Sequence, residues 1–247
     1  MKTTPLSANH FQLTQLGLFN AYLVREEDGF TLIDTCFKQA HALLTAAEEL
    51  GAPIRRIALT HAHNDHASSV DELLKLVPAA ELLVSVRESR LLAGDKTLDA
   101  GEPARKLRGD FVTSHARPSR LLTEGDMVGS LRVIETPGHT PGQIAFLDER
   151  DCTLIAGDAW SVAGGLAVAG DLRPTFPFPA WGTWSPELAV ESAGKLIAVR
   201  PSRLCVGHGR SLENPVEEME EALRRARVRL SSKSKSLHGK HGGLQVL

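Results

Sequence analysis

The sequence predicts an α/β protein with two β-sheets packed face to face and helices on the outside. Strand-like runs gather in two β-rich halves, and each half is followed by segments with helical spacing. No break in composition divides the 247 residues, so they read as one domain over 1–230 followed by a flexible tail over 231–247. Hydrophobic residues make up 42% and charged residues 23%, as in an ordinary globular chain. With 28 Lys+Arg against 30 Asp+Glu, nothing in the charge balance calls for a nucleic-acid partner.

The elements follow in order. Ala21–Val24 and Phe30–Thr35 are apolar or β-branched runs separated by the polar Arg25–Gly29, a hairpin pattern. Ala40, Leu43, Leu44, Ala47 and Leu50 recur at helical spacing until Gly51 and Pro53 stop them. Ile54–Thr60 is the next strand and runs into a histidine-rich segment. Val70, Leu73, Leu74 and Val77 mark a second helix ended by Pro78, and Leu82–Val86 is a further strand. Arg87–Arg120, charged and punctuated by glycine and proline, reads as short helices and loops over one edge of the core. Strands return at Ser130–Thr136, Gln143–Leu147 and Cys152–Ala156, the last two flanking a turn at Asp148–Asp151.

Gly157–Trp184 reads as a long loop with one short structured piece. Ser185 then caps a helix that has Pro186 at its first position and Leu188, Ala189, Ser192, Ala193, Leu196 and Ile197 inward. Leu204–Val206 is a short strand. Asn214–Pro215 with Glu217 predicts a capping box for a last helix facing inward through Val216, Met219, Leu223 and Ala226. Cys36, Cys152 and Cys205 are far apart and odd in number, and read as buried residues in strands rather than disulfide partners. Without a secretory leader or a membrane-length apolar run, the expected compartment is the cytoplasm.

The strongest signal starts where a strand ends, at Thr60-His61-Ala62-His63-Asn64-Asp65-His66. So many imidazole and carboxylate groups are costly to desolvate together unless a cation orders them. His139, Asp158 and His208 repeat the context: each ends or follows an apolar run and is preceded by glycine. His10, His41, His115, His238 and His241 are isolated and read as surface or hydrogen-bonding residues.

His61-Ala62-His63-Asn64-Asp65-His66, with His139, Asp158 and His208 in that order, resembles the signature of the metallo-β-lactamase-fold metallo-hydrolase superfamily. The likeness covers roughly residues 15 to 225 and implies a four-layer αββα sandwich of two mixed sheets, with metals at one edge. It implies that His61, His63 and His139 hold one ion, that Asp65, His66 and His208 hold another, and that Asp158 bridges them. Asp34 matches a recurrent aspartate that steadies the metal loops, or is simply a strand-end turn residue. Ligands of this kind suit two Zn2+ ions, with Fe or Mn as alternatives. The expected function is hydrolysis of an ester, lactone or thioester-type small molecule by a metal-bridging hydroxide, with Asp65 as a catalytic group that orients the nucleophile or passes a proton. A mononuclear iron sulfur dioxygenase-like enzyme and a non-catalytic metal-binding member of the fold are the alternatives.

Substrate choice is less legible. The loop 171–184 carries Phe176, Phe178, Trp181 and Trp184 among prolines, and reads as the wall of an acyl pocket, a dimer contact or a tucked core loop. Quorum-signal lactonases place a tyrosine over the metals after the bridging aspartate, whereas the one tyrosine here, Tyr22, lies early in the chain. Glyoxalase II-type thioesterases carry an extra helical C-terminal domain, and here one helix and a tail follow His208. A small-molecule substrate without membrane contact is expected, a homo-oligomer is left open, and Lys233, Lys235 and Lys240 read as a solvated tail.

Overall fold

The first half of the chain builds a seven-stranded sheet whose spatial order follows the sequence: β1 (Lys2–Pro5), β2 (His10–Gln15), β3 (Phe19–Glu26), β4 (Gly29–Ile33), β5 (Ile54–Ala58), β6 (Glu81–Ser85) and β7 (Arg120–Leu122). The structure, a computed structural model, describes residues 1–239. β1 to β4 pair antiparallel and β4 to β7 pair parallel. Parallel neighbours need long crossovers. Helices α1 (Ala40–Glu49), α2 (Asn64–Ala67), α3 (Val70–Leu76) and α4 (Val86–Leu92) lie in those connections.

The second half gives β8 (Met127–Val128), β9 (Leu131–Glu135), β10 (Ile144–Asp148) and β11 (Thr153–Ile155). A 3-10 turn at Gly157–Ala159, a small ribbon of β12 (Trp160–Ser161) and β13 (Ala167–Val168), and helices α5 (Phe178–Gly182) and α6 (Pro186–Ala198) follow. β14 (Arg203–Cys205), β15 (Leu212–Glu213) and α7 (Val216–Gly239) end the described chain. The six-stranded second sheet runs β15-β14-β11-β10-β9-β8, with β11 and β14 parallel and the other pairs antiparallel.

Alternation along the strands sorts the apolar side chains into three cores, and three cores make four layers. Leu32, Ile57, Leu43, Leu73 and Leu91 fill the space between the first sheet and α1, α3 and α4. Their strand neighbours Ile33 and Ala58 point the other way, meeting Val133, Phe146 and Ile155 between the two sheets. Ala145, Leu147, Ala193, Leu196, Met219 and Leu223 pack the second sheet under α6 and α7. The chain is therefore the αββα sandwich that the resemblance implied.

Most element positions agree with the sequence, including the Ser185 cap, whose hydroxyl accepts from Leu188 N. Three expectations change. The β1–β2 hairpin was not foreseen, because Lys2–Pro5 is a polar edge strand without an apolar face. Cys152 is exposed in a turn and Cys36 is buried in a loop, so only Cys205 sits in a strand; all three are free. Among the described residues no side-chain bond from Asn214 or Glu217 caps α7; Asn214 instead takes a left-handed φ of 48° that turns the chain into the helix. α7 is helical to Gly239 and carries Lys233 and Lys235. Lys240, His241 and the rest of the tail lie outside the described residues. Among those described, no helix is long and apolar enough to cross a membrane.

Candidate metal centre

Parallel strands deliver their carboxyl ends to the same edge of a sheet, and that edge is where ligands gather. Asp34 follows β4, Thr60 to His66 follow β5, Asp158 lies in the 3-10 turn after β11, and His208 follows β14. His139 joins them from the turn between β9 and β10. Because α2 begins at Asn64, His61 and His63 leave an extended chain while Asp65 and His66 start a helix, so one short segment supplies ligands in two directions.

His61, His63 and His139 bring ligand atoms within 4.8 Å of one another, as do Asp65, His66 and His208. Asp158 stands between these groups. Its Oδ2 lies 3.4 Å from His139 Nε2 and 3.0 Å from His208 Nε2, and its Oδ1 lies 3.4 Å from His66 Nε2. All seven residues predicted from the sequence thus meet at one place. Gly207 shows why glycine precedes a ligand here: a Cβ would overlap the Asp158 carboxylate and the His66 ring.

The bonds behind the imidazoles decide which nitrogen faces inward. Thr60 Oγ1 donates to Asp34 Oδ2 at 2.8 Å, so it accepts from His61 Nδ1 at 3.0 Å and leaves the His61 Nε2 lone pair turned inward. Thr183 Oγ1 donates to Pro179 O at 2.6 Å and accepts from His139 Nδ1 at 3.1 Å, with the same result. His63 Nε2 donates to Arg108 O at 2.9 Å, leaving Nδ1 inward and 3.0 Å from His139 Nε2. His66 Nδ1 donates to Asp34 Oδ2 at 2.8 Å. The bland reading of Asp34 as a turn residue therefore gives way: it adopts a left-handed φ of 60° and binds Thr60 N, Thr60 Oγ1 and His66 together.

His61 Nε2, His66 Nε2 and Asp158 Oδ1 are buried without a hydrogen-bond partner. Buried polar atoms that converge without a partner are costly to desolvate, so this donor set fits divalent cations. Burial and the surrounding imidazoles push His61 well down, and burial takes His139 down to about 3. These rings stay neutral, the form that offers a lone pair. Burial also pulls on His66 and His208, but the carboxylates of Asp34, Asp65 and Asp158 overcome it at His66, and Asp158 with Asp65 at His208. That side of the site thus favours positive charge.

Four supporting residues were not read from the sequence: Thr60, Arg108, Thr183 and Glu88. The Glu88 carboxylate is buried and accepts from Ala62 N at 2.8 Å, Gly142 N at 2.9 Å and Thr140 Oγ1 at 2.5 Å. It therefore ties the His61–His63 loop to the His139 loop, and burial pushes its carboxyl up to about 7. The spacing Ser85-x-x-Glu88 at a helix start was the available clue. Tyr22 donates to Val206 O at 2.8 Å and accepts from Val206 N at 3.0 Å, bracing the chain that leads to His208.

The aromatic loop divides. Phe176 is buried with its ring 5.2 Å from the His208 ring, while Phe178 and Trp181 are 62% and 60% exposed. Trp184 is tucked away and donates from Nε1 to Arg105 O at 3.1 Å, so it braces the rim and does not line it.

Two mixed sheets with seven histidine and aspartate side chains clustered at their shared edge define a metallo-hydrolase scaffold. The chain belongs to the metallo-beta-lactamase superfamily, whose family profile matches residues 16–208. It is 46% identical over 211 residues to the uncharacterized protein YobT of Bacillus subtilis, covering 84% of this chain and 90% of that one. The probable metallo-hydrolase YflN of the same organism is 30% identical, covering 77% and 80%. Hydroxyacylglutathione hydrolase of Cereibacter sphaeroides is 31% identical, covering 71% of this chain and 56% of that one. Among solved structures, TTHA1623 in a di-iron-bound form superposes with a TM-score of 0.63 at 27% identity, covering 84% and 95%.

Proposed function

We propose that the chain is a dinuclear metal-dependent hydrolase of ester, lactone or thioester-type small molecules, with zinc as its resident metal. The observation that carries this reading is the set of buried, unpartnered atoms His61 Nε2, His66 Nε2 and Asp158 Oδ1, facing one another across one small space. His61, His63 and His139 would hold one ion, Asp65, His66 and His208 the other, and Asp158 both. Two such ions lower the pKa of a shared water toward neutrality and stabilise charge that develops on the attacked group.

The chain's own groups do the rest. Thr60, Thr183, Arg108 O and Asp34 fix the tautomers of His61, His139, His63 and His66 before substrate arrives. Asp65 is the most exposed of the site carboxylates, with 24% of its side chain open, and lies 3.3 Å from His208 Nε2. It is the group placed to orient the attacking water and pass a proton to the departing atom. Phe176 and the exposed Phe178 and Trp181 give the mouth an apolar wall that keeps bulk water from the reacting bond. A relative that acts on an acylglutathione, a thioester, supports that bond class. This chain spans about half of that relative's length, so the substrate itself is not carried over.

Metal analysis of protein purified without added metal, with a panel of esters, lactones, thioesters, phosphodiesters and β-lactams, tests the reading. Two zinc ions per chain and thioester or ester turnover that Asp65→Ala abolishes are expected. One iron per chain without hydrolysis would sink the proposal in favour of a dioxygenase-like enzyme.

A further inference from the structure

Beside the metal centre lies a cavity of about 620 Å3 that the ligand set does not use, lined in part by Lys96, Leu98, Lys106, Leu107, Gly109 and Phe111. Small-molecule sites span about 300–1,000 Å3. Its inner wall stands directly behind His63, at the ring edge that carries the outward-facing Nε2. Gly109 lies so close to the His63 ring that any side chain there would overlap it, and the Phe111 ring packs on His63 with 4.5 Å between centroids. Lys96 Nζ in turn lies over the Phe111 ring, 5.3 Å from its centroid. Two short steps therefore connect an ammonium group to the ligand His63.

The charges around this cavity are unequally satisfied. Arg87 is held by Glu102, Arg90 by Asp95 and Asp99, and Arg105 by Glu187. Asp110 accepts from Asn64 Nδ2 at 2.8 Å. Among the described residues, Lys96, Lys106 and Arg108 have no carboxylate within ion-pair distance. An apolar floor under unpaired cations is the chemistry that holds an amphipathic anion, its charge at the rim and its hydrocarbon on the rings and leucines.

We infer that this cavity binds the carboxylate-bearing end of the substrate, with the carboxylate at Lys96 and Lys106, the linker on Leu98, Leu107 and Phe111, and the bond to be cleaved at the metal centre. The inference rests on the hydrolase reading above and narrows it to anionic esters or thioesters.

The test compares zinc-loaded wild type with Lys96→Glu/Lys106→Glu on three thioesters at one low ionic strength, since exposed charges are screened by salt. S-pentanoyl-N-acetylcysteamine is neutral, S-glutaryl-N-acetylcysteamine places a carboxylate on the acyl side, and S-pentanoyl-3-mercaptopropionate places it on the leaving side. In wild type kcat/KM for one charged substrate should exceed that for the neutral one at least tenfold, and the double variant should erase that preference; which substrate responds tells which side of the bond enters the cavity. Calorimetric titration with glutarate should show affinity at least fivefold weaker in the variant. A wild type without preference, or a preference that the variant keeps, overturns the subsite while leaving the hydrolase reading intact. Two bound zinc ions without turnover of these three thioesters remove thioesters from the hydrolase reading, and the glutarate titration then decides the cavity alone: equal affinity for both proteins rejects it.

Discussion

At one end of the sandwich seven histidine and aspartate side chains from both sheets converge; at the other, His10, Asp148 and Asp151 also bring ligand-type atoms within 4.8 Å. The ends are opposite because β11 starts at Thr153, paired with Asp148, and runs toward Asp158. His10 Nε2 lies 2.9 Å from Asp148 Oδ2, and Ser7 Oγ meets His10 Nδ1 at 2.9 Å. Yet this second cluster already contains its cation, since Arg150 grips Asp148 with Nη2 at 2.6 Å and Nε at 3.0 Å. Against the upward push of burial, His10 and Arg150 hold the Asp148 carboxyl below the usual range. Asp34, Asp65 and Asp158, among the described residues, meet histidines and no lysine or arginine. Proximity of ligands alone does not make a metal centre. What sets the first cluster apart is that its carboxylates meet imidazoles alone, with no lysine or arginine among the described residues.

The sharpest way to break this comparison is to remove one member of each cluster. His139→Ala should reduce bound metal by at least one ion per chain and lower activity more than about 100-fold, beyond what losing a supporting partner costs. Asp148→Asn should keep both ions and turnover but lose roughly 2–4 kcal/mol of stability, because it strands His10 and Arg150 at a largely buried pair. Elemental analysis and urea unfolding measure the two effects. Metal lost from Asp148→Asn, or full metal in His139→Ala, would reverse the assignment of roles.

The gathering of the seven side chains was legible in the sequence because its signal lies in residue types at strand ends. His61 to His66 sit within six positions, and His139, Asp158 and His208 each follow a glycine. The other end was illegible, since His10 and Asp148 meet only once both sheets are packed. The supports were hidden for a different reason. Arg108 acts through its carbonyl, which every residue has, and Thr183 through a hydroxyl that sequence reads as loop polarity. The αββα layering was half legible: alternation of apolar residues gave two sheets and outer helices, but the edge strand β1 carries no apolar face to betray it.

A finer contrast uses two hydroxyl–imidazole bonds of similar length. Thr183→Val keeps the shape but removes the acceptor that fixes the His139 tautomer, and should weaken metal binding about 10–100-fold in competition with a chromogenic chelator. Ser7→Ala removes the equivalent bond at His10 and should leave metal affinity unchanged while costing about 1 kcal/mol of stability. Equal metal affinities in the two variants would mean that ring orientation is set by packing and not by these bonds.

A last contrast separates two buried carboxylates by sign. Asp148, with Arg150 and His10 beside it, is depressed, so its contribution is present above its unfolded pKa and is lost only as the solution becomes strongly acidic. Glu88 has only neutral donors in contact, and burial raises it to about 7. Its folded form binds the proton more tightly than its unfolded form near 4.3, so stability is highest in acid and falls as pH rises through that interval. Metal-free wild type should therefore lose about 2–3 kcal/mol between pH 5 and pH 8 relative to Glu88→Gln, which cannot ionise. Urea unfolding of both proteins across that range cancels the titration of the histidines they share. Parallel profiles would show that the Ala62, Thr140 and Gly142 donors keep Glu88 ionised throughout, tying the two ligand loops by a fixed charge rather than by a carboxyl that takes up a proton near neutrality.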